Sequence, residues 1–206
     1  ALASFRREAR LLVALNAPGH PAIPEIYAYL PDSHCVVMKY VEGVDLRVLA
    51  RRKGGRLPAA DALRYARDVC AALVYMHGRA PEPVLHRDIK PANILVDSAD
   101  RVWLIDFGLA RAVAAPLLAL GDLSQHGGTL GYTPPEQWRG KSEPRSDIYA
   151  LGVTLHHLLT GHNPASESEE LAALLRGEMR PLPPARELNP ALRPDVAALL
   201  SRALDP

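Results

Sequence analysis

Apolar residues recur along this chain in two rhythms, and the alternation between them sets its outline. Phe5, Leu12 and Leu15 fall at helical steps within ALASFRREARLLVALN, so a helix is predicted at the start. NAPGHPAIP, with three prolines and a glycine, ends it. EIYAYL and HCVVMKYV have the length and composition of two strands, turned at Pro31-Asp32-Ser33. Helical spacing returns in VDLRVLARRKGG, stopped by Gly54-Gly55. It returns again in PAADALRYARDVCAALVYMHG, with Pro58 in its first turn and Gly78 at its end. There Leu63, Ala66, Val69, Cys70, Leu73 and Met76 or His77 are expected to mark the buried face. ILVD and RVWLID predict another strand pair. From Phe107 to Pro135 no period holds, and a long irregular stretch in a compact domain points to function or motion. SEPRSDIYALGVTLHHLLTG is helical again, with Ile148, Leu151, Leu155, Leu158 and Leu159 on one stripe and Gly161 closing it. ESEELAALLRG and RPDVAALLSRALD add two helices on either side of a proline-rich connector, 181–194. Strands early and helices later make an α+β class, mostly helical in its second part and without internal repeats.

Composition narrows this picture only modestly. At 206 residues, 48% hydrophobic and 23% charged, the chain is long and apolar enough for a sizeable core. A formal net charge of +1 gives no broad field for nucleic acid or an anionic membrane, so any phosphate site must be local. Cys35 and Cys70 are far apart in apolar segments and are expected to be reduced core thiols, which suits a cytoplasmic protein. No apolar run reaches membrane-spanning length and no leader opens the chain; a tether outside these residues is left open. Oligomeric state is not legible.

The chemistry is concentrated in VLHRDIKPANILVD, residues 84–97. Phosphate transfer to a hydroxyl needs a carboxylate to orient the hydroxyl and take its proton, a cation to offset the moving charge, and oxygen ligands for a hard metal. Asp88 suits the first role, Lys90 the second, and Asn93 offers a neutral oxygen. LIDFGLA supplies an anionic oxygen in Asp106, at the end of an apolar strand, with Gly108 after it for a sharp turn.

Together HRDIKPAN and IDFG resemble the catalytic and metal-binding loops of protein kinases, in the right order and at a normal separation. GTLGYTPPE resembles the end of an activation segment, with Pro134-Pro135-Glu136 in place of the usual Ala-Pro-Glu. SDIYALGVTLHHLLTG is similar to the long central helix whose Asp147 would tie down the catalytic loop. VVMKYVEGVDL resembles the last small-lobe strand and hinge. That implies Met38 as gatekeeper, Lys39 to Val41 against adenine, Asp45 near the ribose and Leu95 in the nucleotide pocket. FRREARLLVAL resembles the regulatory helix, with Glu8 as its ion-pair glutamate. The resemblance implies ATP, Mg²⁺ or Mn²⁺ held by Asn93 and Asp106, and a protein substrate. Lys90 and Thr129 match the serine/threonine pattern, with Thr129 bridging Asp88 and Lys90. His86 is expected to pack beside Phe107, in a spine with Leu12 and Ile26, and to take no part in proton transfer. The many Ala, Arg and Pro residues give the sequence a bacterial look, and the motifs resemble the bacterial Hanks-type serine/threonine kinases.

Residues 1–38 would then be part of the small lobe, and 39–206 the hinge and large lobe. The glycine-rich loop and strand lysine of the family are not in the sequence, nor is the arginine that usually meets Glu136. The expectation is therefore an interior stretch of a kinase domain, truncated at both ends. Lys39 departs from a common Glu, but adenine would meet backbone there. Arg87 before Asp88 resembles kinases switched by activation-loop phosphorylation. Ser124 is the sole hydroxyl-bearing residue between Gly108 and Thr129, hence either the phosphosite or an ordinary loop serine. A pseudokinase scaffold binding partners through the large lobe is the alternative function, and a small-molecule kinase a third. His156-His157 point in different directions on a helix and make a poor metal site. RRKGGR could suggest a polyanion site, but is better taken as a cationic helix end.

Overall fold

The computed structural model describes residues 10–33, 35–107, 129–164 and 181–205. Residues 10–14 are helical (α1), and two short antiparallel strands follow, β1 (Ile26–Leu30) and β2 (Cys35–Met38), with Ile26 opposite Met38. A second antiparallel sheet holds β3 (Val44–Asp45), β4 (Ile94–Val96) and β5 (Val102–Leu104), in that spatial order. The helices are α2 (Leu46–Arg52), α3 (Ala59–His77), α4 (Pro135–Trp138), α5 (Pro144–Thr160), α6 (Ala185–Leu188) and α7 (Pro194–Leu204). The expected helix ESEELAALLRG lies outside the described residues.

Local chemistry explains where these elements start and stop. Asp45 ends β3 and caps α2, its carboxylate accepting from the Val48 amide at 2.8 Å, so two residues read as helix open as strand. Glu143 and Ser146 form a reciprocal capping box at the head of α5, and Gly161 closes that helix at φ 83°, a conformation a side chain would resist.

α5 is the centre of the large helical part. Ala150, Leu151, Val153, Leu155, Leu158 and Leu159 are all buried, against α3 on one side and α7, through Val196 and Leu200, on another. With Gly152, Thr154 and His156 also buried, the helix is covered nearly all round, and only Ile148 of the expected stripe is exposed. The early segment is tied on by side chains. Asn16 exchanges two hydrogen bonds with the Ile26 backbone, and the Tyr75 hydroxyl of α3 donates to Leu15 O and accepts from Gly19 N–H.

Two expectations are corrected. Neither cysteine is in the core: both are exposed. On β2 the inward positions are Val36 and Met38, so the strand's alternation sends Cys35 outward. On α3 the buried face is Ala62, Tyr65, Val69, Ala72, Leu73 and Met76, a stripe rotated from the expected one. Leu63 and Ala66 sit at its flank and Cys70 beyond it. Tyr65 and two alanines pull the stripe round, because close packing on α5 and the sheet favours small residues there. Among the described residues no helix is long and apolar enough to cross a membrane.

Candidate active site

The loop between α3 and β4 is held from below by one carboxylate. Asp147, in the first turn of α5 and 1% exposed, accepts from the backbone amides of His86 at 2.9 Å and Arg87 at 2.8 Å. Its Oδ2 also lies 2.8 Å from His77 Nε2. Arg87 sits at φ 66°, in the left-handed region that a bulky side chain avoids. The bond from its own amide to Asp147 and the one its carbonyl accepts from Gln137 hold it there. Arg87 O accepts from Gln137 Nε2 of α4 at 2.7 Å, a tie that no sequence signal announced.

His86 is fully buried, its ring 5.0 Å from that of Phe107 and tilted against it. Its Nε2 reaches Ile105 O at 3.1 Å, which links the loop to the end of β5. Burial pushes the imidazole pKa down, and the fold uses this group neutral. Leu12 and Ile26 are buried in the same core.

This frame presents a compact polar cluster. Asp88 is 5% exposed. Its Oδ2 accepts from Lys90 Nζ at 2.7 Å and Asn93 Nδ2 at 3.0 Å, and its Oδ1 from the Thr129 hydroxyl at 2.6 Å. Lys90 Nζ also donates to Thr129 Oγ1 at 2.8 Å, so acid, cation and hydroxyl close a ring of three bonds. Asn93 spends its amide N–H groups on the Asp88 carboxylate and the Asp88 carbonyl, 2.8 Å away, leaving the side-chain oxygen as the end available to a ligand. Ile105 N–H donates to Asn93 O at 2.9 Å, which brings Asp106 beside the loop. Asp106 is exposed and stands at φ 61°, another strained position next to the cluster.

The expected nucleotide edge is distributed as follows. Met38 is partly buried against the core, and Leu95 lies in the middle of β4, opposite Asp45 and Trp103. Lys39 N–H is committed to Glu25 O at 2.8 Å. The Lys39 ammonium lies over the Trp103 ring, 4.7 Å from its centre, a cation–π contact that gives this lysine a packing role. Lys39 O and Val41 N–H make no hydrogen bond among the described residues. Asp45 is occupied as the α2 cap, with Arg47 3.7 Å from its other oxygen. Glu136 accepts from the Ser146 hydroxyl at 2.7 Å. Glu8 and Ser124 lie outside the described residues.

Beyond Thr129 the chain turns back on itself, Tyr132 and Thr133 amides donating to Thr129 O. Tyr132 O–H meets His157 Nδ1 at 2.6 Å. Burial lowers the His157 pKa to about 4 and raises that of Tyr132, so the phenol donates and the imidazole accepts. His156, next along α5, instead bonds Pro183 O, and no group of three metal-ligating side chains occurs among the described residues.

A buried carboxylate bridged to a lysine and a hydroxyl, with an amide oxygen and an exposed carboxylate beside it, is the geometry expected of phosphoryl-transfer loops. The protein kinase domain model matches residues 2–204. The chain belongs to the protein kinase domain family. It is 37% identical to the serine/threonine-protein kinase PknB of Mycobacterium tuberculosis over 208 residues, 97% of this chain and 32% of that protein. It is 35% identical to the tyrosine-protein kinase MasK of Myxococcus xanthus over 212 residues, again 97% of this chain and 32% of that protein. The crystal structure of the M. tuberculosis PknI kinase domain superposes with a TM-score of 0.69 at 30% identity, covering 98% of this chain and 70% of that one. The chain thus spans about a third of the length of the curated relatives it matches. The α+β kinase-like fold is therefore shared, and the family uses ATP and a divalent cation.

Proposed function

We propose that this chain is the catalytic part of a serine/threonine protein kinase, moving the γ-phosphoryl group of ATP to a hydroxyl of a protein substrate. The observation that carries the reading is the ring joining Asp88, Lys90 and Thr129. Asp88 orients the acceptor hydroxyl and takes its proton as the oxygen attacks. Lys90, with one N–H left after its two bonds, meets the negative charge of the transferred group. Thr129 holds both in register and shapes the floor on which the acceptor rests. Its tie to Lys90 favours serine or threonine over tyrosine, although MasK carries the tyrosine name.

Asn93 Oδ1 and the Asp106 carboxylate fit a hard divalent ion, since both are oxygen donors and neither has a hydrogen-bond partner among the described residues. Magnesium is the reading this donor set favours; when bound it would neutralise charge on the phosphates. Lys39 O and Val41 N–H suit the adenine edge, Met38 and Leu95 its faces, and Asp45 the ribose. On this reading residues 1–38 belong to the small lobe and 39–206 to the hinge and large lobe, and Arg87, Asp147, Glu136, Glu8 and Ser124 serve position or regulation.

The test is transfer of labelled γ-phosphate to an acceptor panel by the native full-length protein and its Asp88→Asn variant. An isosteric amide keeps the Thr129 contact but cannot take a proton, so the rate should fall by about 10²–10⁴-fold. An Asp88→Asn protein that keeps wild-type turnover would overturn the assignment. Phosphoamino-acid analysis of the product decides serine or threonine against tyrosine.

A further inference from the structure

The positive charge that is nearly cancelled over the chain as a whole, at a net +1, is locally uncancelled on one short segment. Residues 45–56 carry five cations, Arg47, Arg51, Arg52, Lys53 and Arg56, against one carboxylate, Asp45. All five are exposed. Arg51, Arg52 and Arg56 have no carboxylate partner among the described residues, while Lys53 is 3.5 Å from Asp61 and Arg47 3.7 Å from Asp45.

Their placement is fixed by packing. α2 lies on the 3₁₀ turn Pro91–Asn93 that follows Lys90, and it also touches α5. The loop after α2 runs onto the end of α5: Leu57 N–H donates to Leu158 O at 2.7 Å, and Gly55 O lies 3.4 Å from where a side chain on Gly161 would begin. The same end of α5 carries His157 and leads to Asn163, both partners of the Tyr132 hydroxyl, at 2.6 and 3.4 Å. Arg47 is close enough to Tyr132 to favour its ionised form. The element that carries the cations therefore lies between the catalytic turn and the end of α5 that holds Tyr132.

Helix capping accounts for only part of this. Arg51 and Arg52 complement the C-terminal end of α2, but Arg47 stands in the first turn, where a cation opposes the dipole, and Lys53 and Arg56 lie past the helix. Unpaired like charges crowded on one short element repel, and an anionic partner relieves that. We propose that Arg47, Arg51, Arg52, Lys53 and Arg56 form a cationic rail that binds acidic side chains flanking the acceptor hydroxyl of the protein substrate. The inference rests on the kinase reading and names its substrate class.

The experiment uses three serine peptides differing only in their flanks: Asp/Glu, phosphoserine, or Asn/Gln. Each is tested with the native protein, with Arg47→Ser and with the double variant Arg51→Ser/Arg52→Ser, by phosphate transfer and, separately, by fluorescence anisotropy of peptide binding. The expected result is that native protein favours anionic flanks by about tenfold or more and that the double variant loses most of this through KM, with the neutral peptide unchanged. Comparison of the Asp/Glu and phosphoserine peptides tells which anion the rail takes. Equal use and equal binding of all three peptides by native protein would overturn the rail, as would a preference that survives in both variants. Absent transfer to every peptide, with anionic peptides still bound through these arginines, would instead sink the kinase reading and leave the rail standing.

Discussion

Asp147 shows how much a single side chain is asked to do in this loop. Two amides, from His86 and Arg87, end on its two oxygens, and Arg87, tied also at its carbonyl by Gln137, is held at a backbone angle it would not choose alone. Asp147→Ala should leave two buried N–H groups without an acceptor and cost about 3 kcal/mol of stability, read as a shift in the urea midpoint with unchanged slope. Asp147→Asn, which keeps one acceptor, should cost less. Equal stability of Asp147→Ala and wild type would show that solvent or another group replaces the carboxylate. Asp88, Lys90, Asn93 and Asp106 stood out because phosphoryl transfer asks for those residue types close together, and Asp147 stood out only through the resemblance of its helix to that of protein kinases. Gln137 was not: a glutamine bonding one carbonyl 50 residues away leaves no pattern in the sequence. The cap role of Asp45 was written in the sequence as an Asp before a helical run, but was eclipsed by its ribose expectation. The Trp103 seat of Lys39 depends on the β3–β4–β5 register and could not be read in advance.

At the scale of elements, α5 was legible in its length and ends but not in its surroundings, because a helix covered on all sides has no single stripe to betray what covers it. β3, two residues long, is below what alternation can signal. α3 was placed correctly along the chain and misjudged in rotation, since its tightest contacts use alanines, which carry little hydrophobic weight in any pattern. The crossing of α5 and α7 is similarly hidden. A side chain on Gly152 would start 2.9 Å from Ala203 Cβ and 3.4 Å from Leu204 Cδ2, so the glycine is there to let the helices approach. Gly152→Ala gains helix propensity of about 1 kcal/mol yet should still be destabilising, because the overlap must be relieved by moving α7. In a double-mutant cycle, Ala203→Gly should recover part of that loss, giving a coupling of about 1 kcal/mol. Strict additivity of the two substitutions in thermal or urea unfolding would mean that the helices do not meet at this pair.

The molecule as a whole folds around neutral imidazoles. His86, His156 and His157 are each shifted downward by burial, and at His86 and His157 protonation would also break a bond that Nδ1 accepts, from Asp88 N–H and from Tyr132 O–H. For His157 the contact is the bond accepted from Tyr132 O–H, which joins the Thr129–Tyr132 turn, the proposed acceptor platform, to α5. A histidine whose pKa is about 4 when folded and 6.5 when unfolded binds fewer protons in the native state across that interval. Its stabilising contribution is therefore complete above pH 6.5 and is lost as pH falls toward 4, by an amount on the order of 2 kcal/mol. The melting temperature should be level from pH 8 to 7 and then decline toward pH 4.5, with the platform loosening along with the core. His157→Gln can still accept from Tyr132 but cannot titrate, so it should flatten the slope without moving the plateau far. A melting temperature that stays constant from pH 7 to 4.5 would show that these imidazoles are solvated, and that the platform is not fastened to α5 in the way the 2.6 Å bond requires.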